Sequence, residues 1–335
     1  MASISEPSCY LCGTRGVLLY AGLSDQWLGT PGKWDLKSCP NPDCGLYWLD
    51  PMPSKEDIGK AYCSYFTHPD YDHGGERKMD WFSFFLLKVH KPLYKLFEHV
   101  IGLRNAEKRW RKEVDLMFLN DAPPGGRLLD VGCGKGDLLA RLLHRGWTVE
   151  GLEVDGEAAA YARTNHGLKV HVGALEGQRF PDDVFDAVTM NHVIEHVHDP
   201  IALIRESLRV LKPGGRLVLA TPNSQGLGCK KFGRHWSHLD PPRHLHLFTK
   251  KNLKECVAKA RGRFVDTWCV PGYAEGGAIR VSIDREADAT GKKRREFSMW
   301  LEASYLKALA YYLFFVKKND EVGEEIFLTA TKDEQ

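Results

Sequence analysis

Residues 127–143 read RLLDVGCGKGDLLARLL, an apolar strand pattern that passes through a glycine-rich turn directly into a helix pattern. The turn carries Gly132, Gly134 and Gly136. In open α/β sheets, such a turn brings the backbone close to a nucleotide-type ligand at the carboxyl end of a strand. Its form, Asp-x-Gly-x-Gly-x-Gly, differs from the dinucleotide spacing G-x-G-x-x-G. The turn therefore predicts a nucleotide-type ligand and does not favour a pyrophosphate.

The next strand pattern, TVEGLEVD at residues 148–155, ends in acidic residues. Glu153 follows Gly132 by 21 residues, where a carboxylate can accept hydrogen bonds from two ribose hydroxyls. Asp155 is the neighbouring alternative. An exposed acid at a strand end is the ordinary interpretation, but the preceding glycine turn favours a ribose ligand.

Short β-rich runs alternate with helical patterns through the rest of the chain. Further strand patterns are KVHV, FDAVTMN, RLVLATPN and, near the end, EEIFLTATK. Strands that alternate with helices indicate an α/β fold. We therefore predict a Rossmann-like, doubly wound, mostly parallel seven-stranded sheet, with a small N-terminal zinc ribbon and a helical segment. The predicted domains are the ribbon (1–53), a helical cap or linker segment (54–122) and the Rossmann-like domain (123–335).

Four of the nine cysteines lie within the first 44 residues, as the pairs Cys9-x2-Cys12 and Cys39-x4-Cys44. Four thiolates are what Zn²⁺ takes in a closed tetrahedral site, so the predicted zinc is structural. Four unrelated buried cysteines and a redox motif are the weaker alternatives. An odd number of cysteines with this clustering favours a reducing compartment over a disulfide framework.

Composition limits the classes of partner. The 335 residues are 43% hydrophobic, and 46 Lys and Arg nearly balance 44 Asp and Glu, giving a net charge of +2. A protein with so little net charge has no global field to attract nucleic acid, so no nucleic-acid partner is expected. The sequence shows neither a signal peptide nor a run of about 18 apolar residues. We expect a cytoplasmic protein.

Five consecutive stretches resemble motifs of the class I S-adenosylmethionine-dependent methyltransferases: LLDVGCGKGDLL, GWTVEGLEVD, FPDDVFDAVTMNHVIEHVHDP, VLKPGGRLVLATPN and FGRHWSHLDPPRHLHLFT. The continuation CGLYWLDPMPSKEDI after the second cysteine pair is similar to a bacterial branch with an N-terminal zinc ribbon. That branch includes zinc-containing sugar methyltransferases and enzymes of polysaccharide and secondary-metabolite assembly. The additional C-terminal domain of the sugar C-methyltransferases is not expected here, which disfavours sugar C-methylation.

The resemblance implies that the cofactors are S-adenosyl-L-methionine and structural zinc. It places Asp130, Gly132 and Gly134 against the methionine moiety, and Glu153 on the ribose. It places Ala174 and Leu175 at the adenine, and Asn191 and His192 beneath the sulfonium. All of these residues fall at predicted carboxyl ends of strands, where open α/β sheets bind ligands.

Seven of the fourteen histidines fall in two loops after the fourth and fifth predicted strands: His192, His196, His198, His235, His238, His244 and His246. An imidazole suits deprotonation of an acceptor hydroxyl. The resemblance favours the pair Glu195 and His196 as catalytic residues, with His244 in reserve. Helix capping and bracing of the cofactor loop is an equally open role for this pair.

Two other functions are open in the second loop. A second metal held by His235, His238, His244 and His246 is conceivable but lacks an Asp or Cys to complete the ligand set. Arg243 can pair with an anionic acceptor group or can form a structural salt bridge.

The helix predicted at residues 297–316 becomes apolar on every face in its second half. We expect it to be covered by the helical residues 81–103 or by a second subunit in a homodimer. Peripheral membrane contact is the less favoured alternative.

The expected function is methyl transfer from S-adenosylmethionine to a small-molecule acceptor, a sugar or a related hydroxyl compound. Alternatives are C- or N-methylation of a small molecule, RNA methylation that uses the ribbon, and a non-enzymatic scaffold role in a biosynthetic assembly. The cofactor motifs do not distinguish the acceptor atom, because pocket shape determines it.

Overall fold

The computed structural model describes residues 2–62, 85–86, 88–92, 110–120, 125–270, 277–291 and 294–333. Most of the predicted helical segment 54–122 lies outside these residues. Within it, residues 85–86, 88–92 and 110–114 are helical, and Ile58–Tyr62 form a 3-10 helix.

Thirteen strands occur in the described part of the chain. They are β1 (Ser3–Ile4), β2 (Val17–Leu23), β3 (Trp34–Ser38), β4 (Tyr47–Leu49), β5 (Met52–Pro53), β6 (Arg127–Val131), β7 (Thr148–Glu153), β8 (Lys169–Val172), β9 (Phe185–Asn191), β10 (Leu211–Pro222), β11 (His246–Leu247), β12 (Arg263–Val270) and β13 (Glu325–Thr331).

The longer helices lie between these strands. They are α1 (Asp137–Leu143), α2 (Gly156–His166), α3 (Pro200–Val210), α4 (Leu227–Phe232), α5 (Lys250–Lys259), α6 (Gly277–Thr290) and α7 (Glu296–Tyr311). Side-chain hydrogen bonds to backbone amides fix where two of these helices begin. Asp155 caps α2 by accepting hydrogen bonds from the Glu157 and Ala158 amides, and Thr249 caps α5 in a capping box with Asn252.

The predicted seven-stranded, mostly parallel sheet is confirmed, with the order β12-β13-β10-β9-β6-β7-β8. Strand β13 runs antiparallel to its neighbours β10 and β12, and the pairs from β10 through β8 are parallel. The chain moves outward from β6 to β8 and then returns to the other side of β6 as β9. This reversal of strand order is where α/β sheets form their ligand crevice.

The N-terminal residues form a four-stranded antiparallel sheet with the order β11-β4-β3-β2, and β1 pairs with β5. Strand β11 comes from the loop after β10, so the ribbon sheet is completed by residues outside 1–53. One hydrophobic core contains Leu36 and Trp48 of the ribbon together with Leu129 and Val188 of the large sheet. The ribbon is therefore packed as a continuous part of the fold.

Helix α7 packs against α6 and ends in a π-helical turn at Tyr312–Val316. Its buried face carries Met299, Ala303, Leu306 and Ala310. On another face, Leu301 and Tyr305 are exposed, and the His90 ring lies 5.1 Å from the Phe297 ring. Among the described residues, no helix is both long enough and apolar enough to cross a membrane.

Candidate functional site

The glycine turn after β6 requires glycine for steric reasons. Gly132 has φ +72°, and a Cβ there would lie 2.4 Å from Cγ2 of Val193. Gly136 has φ +84°, and its Cβ would lie 2.5 Å from Cδ1 of Leu168. These positive φ angles let the chain turn sharply from β6 into α1. The turn therefore lies at the crevice beside the end of β6.

Glu153 lies beside this turn at the end of β7. Its carboxylate accepts hydrogen bonds from the Gly134 amide (2.8 Å to Oε2) and from the Asp155 amide (2.9 Å to Oε1). Each carboxylate oxygen can accept a second hydrogen bond, so two hydroxyls can still bind. Asp155 instead caps α2 with its side chain.

The other predicted cofactor residues lie along the same sheet edge. Asp130 is buried and accepts a hydrogen bond from the Thr189 hydroxyl at 2.7 Å, and burial raises the pKa of Asp130 to about 7. After β8, Ala174 is exposed, whereas the Leu175 side chain is 1% exposed and belongs to the core. Of the two residues predicted at the adenine, Ala174 is therefore the accessible one.

Asn191 and His192 form the end of β9. Asn191 is exposed, and His192 is half-buried with a φ of +54°. This left-handed conformation is uncommon for a residue other than glycine. It turns the chain at the crevice into the 3-10 helix Ile194–His196.

A polar cluster follows at this 3-10 helix, built around the fully buried Glu195. The Thr221 hydroxyl donates to Glu195 Oε2 at 2.9 Å, and His192 Nδ1 lies 3.1 Å from Oε1. His244 Nε2 lies 4.0 Å from the same Oε1. One side-chain ligand atom from each of Glu195, His196 and His244 lies within 4.8 Å of the other two.

Backbone carbonyls orient the two imidazoles of this cluster. His196 Nδ1 lies 3.1 Å from the Arg243 carbonyl oxygen, and His244 Nδ1 lies 2.7 Å from the His238 carbonyl oxygen. A carbonyl only accepts, so each Nδ1 carries the proton and each Nε2 of the neutral ring has a lone pair. The Tyr62 hydroxyl lies 2.9 Å from His196 Nδ1.

The cluster contains two charged side chains, Glu195 and His192, and two neutral imidazoles, His196 and His244. Burial disfavours the Glu195 carboxylate, but the hydrogen bond from His192 and the charges of the neighbouring histidines together outweigh burial and lower the pKa of Glu195 to about 2. Burial likewise opposes the His192 cation, yet Glu195 and Glu325 raise the pKa of His192 to about 10. Burial lowers the pKa of His244 to about 4 and also lowers the pKa of His196. The cluster thus combines an ion pair with two neutral imidazoles.

The remaining histidines of the second loop are not gathered into one site. His246 is part of β11 in the ribbon sheet, and His235 lines a cavity near α6. The four-histidine metal site considered from the sequence is therefore wrong. The metal-capable cluster that the structure gathers at this edge is Glu195, His196 and His244.

Arg243 forms a structural salt bridge. Its guanidinium is fully buried and donates to both carboxylate oxygens of Asp25, at 2.7 and 2.8 Å, and to Asp240 Oδ2 at 2.9 Å. These bonds occupy the guanidinium, so the alternative of Arg243 as an anchor for an anionic acceptor is wrong.

The four N-terminal cysteines converge as their spacing predicts. Cys9 Sγ lies 3.5 Å from Cys44 Sγ, and Cys12 Sγ lies 3.4 Å from Cys39 Sγ. All four sulfur atoms lie within 4.8 Å of one another. A tetrahedral zinc with Zn–S bonds of about 2.3 Å places its sulfurs about 3.8 Å apart, so the donor set fits this ion.

The comparisons with known proteins agree with this architecture. Residues 103–262 match a family described as Methyltransferase domain. The matched segment, slightly less than half of the 335 residues, is therefore similar to methyltransferases. It is 41% identical over 106 residues to a Ubiquinone biosynthesis O-methyltransferase from Xanthomonas oryzae pv. oryzae, covering 30% of this chain and 44% of that protein. The protein of the same name from Pseudomonas aeruginosa is 31% identical over 137 residues, covering 35% and 59%.

The chain thus spans about half the length of these curated relatives. Among solved structures, one that is similar is geranyl diphosphate C-methyltransferase from Streptomyces coelicolor A3(2). The superposition covers 70% of this chain and 82% of that chain, at 17% identity and a TM-score of 0.45. The [4+2]-cyclase SpnF covers 67% and 81%, at 22% identity and a TM-score of 0.47.

Sequence reasoning missed several residues that support this candidate site. Asp25 and Asp240 hold Arg243, Tyr62 contacts His196, and Thr221 contacts Glu195. Thr221 lies near the carboxyl end of β10, directly after its apolar residues, and a polar residue at such a strand end indicates the crevice. Asp25 lies 218 residues from its partner, and nothing in its local sequence indicates the pairing.

Proposed function

We propose that this protein transfers the methyl group of S-adenosylmethionine to a hydroxyl oxygen of a small polar metabolite, a sugar or a related compound. The observation that carries the proposal is the cluster of Glu195, His196 and His244 at the carboxyl end of β9. The curated relatives are named as O-methyltransferases, which supports oxygen as the acceptor atom.

The described residues fit the cofactor. Glu153 retains hydrogen-bonding capacity for the ribose hydroxyls, and the glycine turn and Asn191 lie at the same edge of the sheet. When bound, S-adenosylmethionine supplies an electrophilic methyl group on a sulfonium. The sulfonium leaves as a neutral thioether, so the protein must align the acceptor and remove its proton.

The spacing of the cluster is intermediate between that of a metal site and that of a site for an acceptor hydroxyl. An oxygen that makes hydrogen bonds of about 2.8 Å to three tetrahedrally placed atoms separates those atoms by about 4.6 Å. A metal with bonds of about 2.1 Å would separate them by about 3.4 Å. The 4.0 Å between His244 Nε2 and Glu195 Oε1 lies midway between these two values. The proposed hydroxyl acceptor is supported instead by the names of the relatives and by the lowered pKa of His196.

Within this site, His196 acts as the general base. Its Nε2 lone pair accepts the hydroxyl proton, while the Arg243 carbonyl holds Nδ1–H in place. The negative charge of the buried Glu195 carboxylate, which is hydrogen-bonded to His192 and Thr221, favours the His196 imidazolium that forms. His244 positions the acceptor oxygen and is the base to consider if His196 is dispensable.

The acceptor pocket lies between the loop after β9 and the loop at 226–248, because both follow strands at the switch-point crevice. We propose residues 81–103 as the roof of this pocket, and most of them fall outside the described residues. We further propose that one structural Zn²⁺ is bound by Cys9, Cys12, Cys39 and Cys44. This zinc would stabilise the ribbon, whose strand β4 pairs with β11 and so supports the loop that carries His244.

The test is a methyl-transfer assay with isotopically labelled S-adenosylmethionine and a panel of sugars, sugar phosphates and phenols. The expected result is an O-methylated product that depends on His196, identified by mass spectrometry and by the NMR shift of the methoxy group. A product methylated on carbon or nitrogen would contradict the proposed acceptor atom. Absence of cofactor binding would contradict the function as a whole.

A further inference from the structure

A cavity of about 340 Å³ lies where the ribbon, the loop after α4 and helix α6 meet. Its described walls are formed by Gly22, Leu23, Ser24, Gln26, Arg234, His235, Leu239, Pro241, Arg285, Ala289 and Thr290. The walls include no residue of the glycine turn or of the Glu195 cluster. The cavity is therefore distinct from the proposed methyl-transfer site, and its volume falls within the usual range for small-molecule pockets.

The cavity wall is basic. Arg234, His235 and Arg285 line it, and the described residues that line it include no Asp or Glu. The carboxylates of Asp25 and Asp240 lie next to wall residues in the sequence, but both are bound by Arg243. The cavity is thus lined by Arg234 and Arg285. The neighbouring acids Asp25 and Asp240 are already paired with Arg243.

Arg285 is fixed in place but incompletely paired. The residue is 8% exposed, and its Nη1 donates to the carbonyl oxygens of Trp236 (3.2 Å) and Ser237 (3.1 Å). Its guanidinium carbon lies 5.2 Å from the centre of the Trp27 ring. Its Nε and Nη2 are buried and have no hydrogen-bond partner within the described part of the chain.

Buried donors without partners cost free energy, and a buried charge costs more when no counter-ion compensates it. Burial lowers the pKa of Arg285 to about 10, even though Asp240 and Asp25 act in the opposite direction. A rigid guanidinium with two unused donors is a preorganised partner for an oxyanion.

We propose that this cavity binds an anionic group, a phosphoryl or a carboxylate, between Arg285 and Arg234. Nε and Nη2 of Arg285 form the fork that would donate to two anion oxygens, and Arg234 adds a second positive charge. The cavity has room for a group attached to a larger molecule. This inference does not depend on the proposed methyl transfer, because the cavity is lined neither by the glycine turn nor by the Glu195 cluster. Arg234 and His235 do belong to the loop at 226–248, which also borders the proposed acceptor pocket.

The experiment is isothermal titration of the full-length protein with inorganic phosphate, inorganic diphosphate or acetate at low ionic strength. Saturating S-adenosylhomocysteine is present, so that the glycine turn is not available to the probe. We expect saturable binding of at least one probe. Tighter binding of the phosphates identifies a phosphoryl site, and tighter binding of acetate identifies a carboxylate site.

Arg285→Met should weaken binding of the preferred probe at least tenfold. The matched control is Arg280→Gln on the same helix, since Arg280 pairs with Asp284 and Glu296 and is not a wall residue. The control should bind as the wild type does. Arg234→Gln is the second variant if the loss of the two carbonyl contacts unfolds Arg285→Met, and it should weaken binding several-fold.

The proposal is overturned if the wild type binds none of the three probes saturably. It is also overturned if a folded Arg285→Met and the Arg280→Gln control bind the probe equally. Binding of S-adenosylhomocysteine is measured in the same samples, so failure of the anion site is distinguishable from failure of the proposed methyltransferase function.

Discussion

Arg243 and Asp25 are 218 residues apart in the sequence and form a bidentate ion pair in which both side chains are fully buried. Asp25 also accepts hydrogen bonds from the backbone amides of Trp27, Leu28 and Thr30. The pair therefore orders a ribbon loop and joins it to the loop that carries His244.

Loss of this ion pair should destabilise the whole protein. Arg243→Met leaves Asp25 as a buried carboxylate without its counter-charge, which typically costs about 3–5 kcal/mol. Lys251→Gln is the control, because Lys251 and Asp43 form an exposed pair, and solvent-exposed pairs contribute little to stability. Urea denaturation gives both values. A loss below about 1 kcal/mol for Arg243→Met would show that the ribbon is not held in this way.

The cysteine cluster predicts one Zn²⁺ per chain in protein purified without chelators. The Cys39→Ser/Cys44→Ser double variant should lose the metal and lower the melting temperature, because a structural zinc contributes to folding free energy. Cys229→Ala, which changes a buried cysteine outside the cluster, should retain it. Elemental analysis measures the zinc content per chain of each protein. A metal-free wild type, or a double variant with full zinc content, would remove the site.

The sequence predicted the glycine turn, Glu153 and the cysteine cluster because their signals are local. In each case a strand end, a turn and a ligand type occur within a short segment. It did not predict that His246 joins the ribbon sheet, that Asp155 caps a helix, or that Asp25 holds Arg243. The first and last of these depend on contacts between distant segments, and an acidic residue after a strand does not reveal whether it caps or binds.

Glu153 is predicted to hold the ribose. Glu153→Ala should weaken cofactor binding by about 1.5–3 kcal/mol, the range for hydrogen bonds to a charged group. Asp155→Ala should leave cofactor affinity unchanged and destabilise the protein by about 0.5–2 kcal/mol, the cost of losing a helix cap. Calorimetric titration of both variants with S-adenosylhomocysteine measures the two cofactor affinities and distinguishes the two assignments. If Asp155→Ala weakens binding and Glu153→Ala does not, the ribose assignment moves to Asp155.

The pH dependence of turnover follows from the neutral state of His196. Burial lowers the pKa of His196, while Glu195 and Asp240 raise it and His192 lowers it. The neutral ring accepts the proton, so kcat/KM should be level near pH 7 and should fall only below the usual histidine pKa of about 6.5. Glu195→Gln removes a negative neighbour and should move this acid limb to lower pH. An acid limb above pH 7 would contradict the assignment.

The central claim is that His196 removes the acceptor proton, and a single variant tests it most directly. His196→Ala should keep the cofactor dissociation constant and the melting temperature close to wild type while lowering kcat by about 10²–10⁴, the usual contribution of a positioned base. His198→Ala is the matched control, because His198 contacts the Pro53 carbonyl instead of the cluster. It should keep its turnover. A folded His196→Ala enzyme with wild-type kcat at saturating cofactor would contradict the account and leave His244, or no base at all, in that role.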